Sequence, residues 1–546
     1  MTTDENAARP TDSARTSRRR FLGGLTAAAG AAGLGTGVAS AQHRDRNGDD
    51  GDRRDGGGRD GRNRGGGGGA DADQFSRLFD LPSFHEDAPD DLREALLALG
   101  AAGGPMDAQD PLEVGPTRLI TEPELSPNNP DNAAHTAGTT FVGQFLDHDI
   151  TGDAGSRLGR VTPLRRSRNL RTAAFDLDSV YGAGPADDAE LYRDDDPILF
   201  RLESGGQFED LPRDADGTAV TAEGRNDENL IICGIQCGYY LFHNAVVERL
   251  RAGPGGADDD AVFAEARRLV RWHHQWMILH EFLPQVVGQA MIDEVAGGGR
   301  RFFTPDVLQI PVEFQTAAYR FGHSMIRPSY RANLAGDDGE AFFGFVFDPD
   351  EFDRDDPGDM SGGRRAPRRF VGWQTFFDFD DGEVKPNKRI DPRISTPLFQ
   401  LPVRAIGTNR GEPVGPTSLA QRNLLRHITW EIPSGQRVAE AMGVAPLSGG
   451  DLSEWGDLGG ALDTNTPLWP YILREAELVE DGERLGPVGG RIVAEVFLGL
   501  LEDDPDGYLS NEPAWRPTMP TRSGDDDFGM ADLLTLAGVD PDSRGQ

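Results

Sequence analysis

The stretch Phe141-Val142-Gly143-Gln144-Phe145-Leu146-Asp147-His148-Asp149-Ile150-Thr151 decides how this chain is read. Its apolar residues Phe141, Phe145 and Leu146 recur at helical spacing. The same two turns carry an amide, a carboxylate, an imidazole and a second carboxylate. Gln144 and His148 stand four residues apart and share a helix face. A neutral imidazole can take up and return a proton at ordinary pH. Asp149, beside it, is a hard oxygen ligand suited to a divalent cation.

Outward from this stretch, apolar positions at helical spacing dominate and strand-like alternation is rare. Val262, Ala266, Leu269, His273, Trp276 and His280 form one stripe, and residues 229–250 are apolar enough for a buried helix. Segments rich in Gly, Pro and Asp, such as 348–364 and 407–416, separate the helices. The expected fold is mainly α: a single large helical domain with long loops and little β. Cys233 and Cys237 are the only cysteines. Their i, i+4 spacing on a helix is awkward for a disulfide and points to buried thiols.

The chain has 91 acidic and 55 basic residues and a net charge of −36; Lys385 and Lys388 are its only lysines. Such a surface repels nucleic acid and anionic membranes, which excludes both as expected partners. It suits a protein kept hydrated in concentrated salt, and so a salt-loving source; the alternative is an ordinary acidic secreted protein.

Three sections are expected along the chain. Residues 1–41 hold Ser17-Arg18-Arg19-Arg20-Phe21-Leu22, an uncharged Gly/Ala-rich run and Ala39-Ser40-Ala41, and resemble a cleavable twin-arginine export signal. The product would be secreted or held at the cell surface, with no stable membrane insertion after cleavage. Residues 42–74, almost devoid of apolar side chains, form a linker that cannot offset its ordering entropy by burial. The globular domain occupies 75–546.

Five motifs within it, in order, resemble those of the animal-type haem peroxidases of the peroxidase–cyclooxygenase superfamily. The first is the opening stretch. Next comes Thr172-Ala173-Ala174-Phe175-Asp176-Leu177-Asp178-Ser179-Val180-Tyr181-Gly182. The others are Arg225-Asn226-Asp227-Glu228, Tyr319-Arg320-Phe321-Gly322-His323-Ser324 and Gln421-Arg422-Asn423-Leu424-Leu425-Arg426. The resemblance implies a haem b cofactor with His323 as proximal iron ligand, Asn423 orienting that ring and Arg426 beside the propionates. His148 would be the distal acid/base, with Gln144 in its water network and Arg225 as the charge that stabilises the breaking O–O bond. Asp147 and Glu228 occupy the positions that form ester bonds to haem methyls in the family. Asn229, where one lineage has methionine, excludes a sulfonium link.

The same resemblance implies a Ca²⁺ site of Asp149, Thr172, the Ala174 carbonyl, Asp176 and Asp178. His243 reads as structural, and His273, His274 and His280 as core and surface histidines rather than a metal site. The implied function is reduction of hydrogen peroxide, through an oxoferryl intermediate, with oxidation of a halide, thiocyanate or aromatic donor. The alternatives are a fatty-acid dioxygenase of the same superfamily and a non-catalytic adhesion or matrix protein. The dioxygenases carry a tyrosine three residues before the proximal histidine, where this chain has Arg320. The donor and the oligomeric state are not legible.

Overall fold

A computed structural model describes residues 72–544 apart from positions 87, 154, 205–207, 254–257, 337, 351–355, 365–367, 407, 410–411 and 414. The export signal and nearly all of the linker lie outside the described residues.

Among the described residues, six helices of eleven residues or more carry the core: α1 (Gly138–Ile150), α2 (Leu230–Arg251), α3 (Asp259–Met277), α4 (Leu419–Thr429), α5 (Leu468–Glu480) and α6 (Pro487–Glu502). The expected buried helix at 229–250 is α2. Asn229 caps it, Oδ1 accepting from the backbone N–H groups of Ile231 and Ile232. The 262–280 stripe is buried throughout. Asp258 caps α3, and Asp259 and Asp260 favour the positive end of its dipole.

At Ile278–Phe282 the helix widens into a π turn, so His280 does not continue the regular α3 repeat. All three histidines here are buried, which corrects the expectation of surface positions among them. Among the described residues, β structure amounts to four two-stranded ribbons and scattered single bridges. One of them pairs β1 (Asp131–Thr136) with β2 (Pro386–Lys388) just ahead of α1. Cys233 and Cys237 are buried and form no disulfide.

Neighbouring segments fix the helix ends that matter for the site. Glu475 of α5 accepts from the backbone N–H groups of Val488 and Gly489 and so caps α6 from outside (2.9 and 3.3 Å). His427 of α4 accepts the N–H of Trp469 at 3.0 Å, while its other ring nitrogen meets the Asn423 carbonyl.

The acidic loop that begins at 348 also finds a role. Its end lies along the turn Gly224–Asp227: Leu230 N–H donates to the Met360 carbonyl (2.8 Å) and Gly362 N–H to that of Glu228 (3.0 Å). A Cβ on Gly362 would sit 1.5 Å from the Asp227 carbonyl oxygen, so only glycine permits this approach.

Candidate haem and cation site

The short turn Gly322–Met325, which carries His323, packs against α1, which carries His148. The Tyr319 hydroxyl donates to the Gly143 carbonyl at 3.0 Å and ties the two segments together. Motifs 175 positions apart in sequence thus meet in one place.

On the α1 side, Asn226 meets His148 Nδ1 through Oδ1 at 2.8 Å. His148 Nε2 stands 4.0 Å from Glu228 Oε2, which accepts from Gln144 Nε2 at 3.1 Å. Gln144 Oε1 in turn accepts from Asn229 (3.2 Å). Arg225 is gripped by Glu223 through Nε and a terminal nitrogen (3.0 and 2.9 Å). It also donates to the carbonyls of Thr151 (2.6 Å) and His148 (3.2 Å), bracing the helix end that bears the imidazole. Burial, reinforced by the Arg225 charge, pushes the His148 pKa down to about 4, so the ring is neutral. Burial raises Glu228 to about 7.

On the other side, Asn423 Nδ2 lies 2.8 Å from His323 Nδ1, and Asn423 Oδ1 accepts from Arg320 at 3.1 Å. His323 Nε2 makes no hydrogen bond among the described residues. Burial, followed by the charges of Arg320 and Arg426, lowers the His323 pKa to about 3. Burial and the Arg426 charge bring even Arg320 down to about 9. Arg426 donates to Asp153 Oδ2 at 3.2 Å.

These residues fit a haem by three observations. His323, Arg320, Glu228, Gln144, Asp147 and Arg426 are all half-buried and keep surface that a ligand could cover. Among the site residues stand one imidazole with an uncommitted Nε2, His323, and a second neutral imidazole, His148. The mutual repulsion of Arg320, Arg422 and Arg426 calls for an anion, and paired propionates supply that charge. In the present amide orientation Nδ1 of His323 is the acceptor. Ligation through Nε2 requires the amide turned over so that its oxygen receives Nδ1–H.

Three of the residues expected to hold a cation also converge. Carboxylate oxygens of Asp149, Asp176 and Asp178 lie within 4.8 Å of one another. Burial and mutual repulsion raise Asp149 well above the carboxylate range and Asp176 to about 7; burial raises Asp178 as well. The Thr172 hydroxyl and N–H both donate to Asp178 Oδ2 (3.3 and 3.2 Å). Asp178 also meets Arg171 at 3.4 Å, so its charge is shared rather than held for a cation alone. Asp149 accepts from the Leu177 N–H (3.1 Å) and from the N–H and hydroxyl of Ser179 (3.3 and 2.8 Å).

His243 bridges Tyr181 and the Ile198 carbonyl, a structural position as expected. Sequence reading missed Asn226, Glu223 and Asp153, and noticed Arg320 only as a missing tyrosine. The lone charge of Arg320 within the otherwise uncharged run 314–322 was the available signal. A cavity of about 200 Å³ lies against α1, lined by Val142, Leu146, Ile278, Phe282 and Met530.

The sequence profile described as Animal haem peroxidase matches residues 154–341, which include Arg225 and His323 but neither His148 nor Asn423. Peroxidasin homolog pxn-1 of Caenorhabditis elegans is 26% identical over 227 residues, 38% of this chain and 18% of that protein. Human thyroid peroxidase is 25% identical over 228 residues (37% and 24%), and peroxidase mlt-7 of C. elegans 32% over 199 (34% and 27%). The chain therefore spans about a quarter or less of the length of these relatives. Among solved structures, peroxidase A of Dictyostelium discoideum aligns with a TM-score of 0.55 at 17% identity, covering 85% of this chain and 93% of that one. Fatty acid alpha-dioxygenase of Oryza sativa aligns at 0.53 and 14%, covering 79% of each. Residues 154–341 match the animal haem peroxidase family, and the chain shares the mainly helical fold of these solved structures.

Proposed function

We propose that this chain is a secreted haem peroxidase that reduces hydrogen peroxide at the expense of a halide, thiocyanate or aromatic donor. The observation that carries this reading is the pair of buried neutral imidazoles, each held at Nδ1 by an asparagine (Asn226 for His148, Asn423 for His323, both 2.8 Å). His323 Nε2 would hold the iron, and Arg320 and Arg426 the propionates. The bound haem supplies the two-electron reduction of peroxide and passes the oxidising equivalents to the donor.

His148 Nε2 takes the proton from the near peroxide oxygen and returns it to the far oxygen, which leaves as water. Arg225 places fixed positive charge beside that transfer without reorganising, because Glu223 already holds it. The Gln144–Glu228 pair lines the same side, and Asp147 and Glu228 are the two carboxylates that could be esterified. Asp149, Asp176 and Asp178 would hold Ca²⁺ and lock α1 to the following loop. The acidic surface and the Arg18-Arg19-Arg20 leader support twin-arginine export from a salt-loving cell. Arg320 in place of tyrosine, with the Tyr319 hydroxyl occupied by Gly143, favours this reading over a tyrosyl-radical dioxygenase.

The test is the absorption spectrum of the haem-supplied chain in calcium and high salt, before and after one equivalent of peroxide. A Soret band that changes with peroxide and is restored by iodide or a phenol supports the reading. No haem band, or one inert to peroxide, overturns it.

A further inference from the structure

His148 works as a base only if its lone pair is on Nε2, and a neutral imidazole has two tautomers. Neither the histidine nor the asparagine beside it settles which, because an asparagine amide offers an acceptor on one side and a donor on the other. The hydrogen bonds continue past that pair. Asn226 Nδ2 donates to Gln236 Oε1 at 2.8 Å, and Gln236 Nε2 reaches the Ser179 carbonyl at 3.5 Å. Asn226, Gln236 and Ser179 are fully buried.

The far end breaks the symmetry. A backbone carbonyl can only accept, so Gln236 turns its NH2 toward Ser179 and its oxygen toward Asn226. That leaves Asn226 to donate to Gln236 and to accept from His148 Nδ1–H. Ser179 is itself held in place, its N–H and hydroxyl both donating to Asp149.

We propose that Asn226 and Gln236 are positioning residues for the distal base, and that the Ser179 carbonyl sets the direction of the chain His148–Asn226–Gln236–Ser179. The lone pair of His148 is thereby committed to Nε2, on the side of Gln144 and Glu228. Asn226 fills an open position of the Arg-x-x-Glu motif, and the cation loop reaches the imidazole through it. The inference rests on the peroxidase reading for its consequence, though not for the tautomer itself.

Two substitutions discriminate. Asn226→Leu removes the acceptor at similar volume. Asn226→Asp keeps an oxygen that can only accept. If His148 Nδ1–H donates, the Asp variant retains the peroxide reaction while the Leu variant loses about 10–100-fold, as for other partners that orient a working histidine. If the polarity runs the other way, both variants lose it alike. Haem content and the apparent KM for the donor stay unchanged in each.

A second readout needs no haem and no turnover. A long-range ¹H–¹⁵N spectrum of the histidine-labelled full chain, with His148 assigned by comparison with His148→Gln, shows which ring nitrogen is protonated. Protonation at Nδ1 in the parent chain supports the proposal, and protonation at Nε2 overturns it. An unreactive parent chain with Nδ1 protonated would sink the peroxidase reading alone. A reactive parent with equal Leu and Asp variants would sink the positioning role alone.

Discussion

Without a cation among Asp149, Asp176 and Asp178, this protein's stability should depend on pH, through three carboxylates packed against one another. Asp176 has a folded pKa of about 7 against an ordinary value of 3.8, because it is buried and faces Asp178. Without a cation, the folded state therefore holds a proton between these values that the unfolded chain has released. The stabilisation is present below about pH 4 and is lost as the pH rises through 7. A displacement of about three units at about 1.4 kcal/mol each makes the loss on the order of 4 kcal/mol for this group alone. Asp149 moves in the same direction and adds to it. Calcium at about a hundred times its Kd returns about 2.7 kcal/mol.

The assay is thermal melting of the full chain at pH 5.5 and pH 8, with calcium or with a chelator, in the parent and in Asp176→Asn. The chelated parent should melt several degrees lower at pH 8 than at pH 5.5, and calcium should close that gap. The Asn variant should lose most of both effects. A chelated protein that melts alike at both pH values, or an equal calcium effect at both, would refute the argument.

A comparable slope comes from Glu475, whose pKa burial raises from 4.5 to about 7, so its ionisation costs stability as the pH rises through that window. Glu475→Gln keeps an acceptor for the start of α6 and should gain about 1–3 kcal/mol at pH 8 but little at pH 5, read by melting at the two pH values. Gly362→Ala drives a methyl into the Asp227 carbonyl and should cost about 1–3 kcal/mol while displacing Arg225, visible as a lower Tm and a slower peroxide reaction. An Ala variant with unchanged Tm and rate would show that the loop does not hold that turn.

What could be read from the sequence follows from how local the governing physics is. α2 and α3 were legible because their buried faces repeat at the helical period and their caps, Asn229 and Asp258, are local. The π turn was not, because Ile278–Phe282 has ordinary helix-forming residues and packing against other segments sets its width. His148, Arg225, His323 and the aspartates were legible because each sits in a short motif with a fixed order. Asn423 lies beside its histidine, 100 positions earlier in the chain, but turns its amide nitrogen rather than the expected acceptor oxygen to the ring.

Asn226 and Arg320 act through partners 78 and 103 positions away, and no local pattern announces such a pairing. The roles of Glu223 and Asp153 are likewise set by partners, Arg225 and Arg426, that only the folded chain brings alongside. Charge density pointed to the solvent around the protein and said nothing about the site.

The central claim is that His148 is the base in a peroxide reaction at a haem held by His323. The most direct measurement is stopped-flow reaction of the haem-loaded chain with hydrogen peroxide, parent against His148→Gln, with haem content matched. The account predicts a rate constant lower by about 10²–10⁴-fold in the variant, with the Soret band of the resting protein retained. Equal rate constants in the two proteins would contradict it.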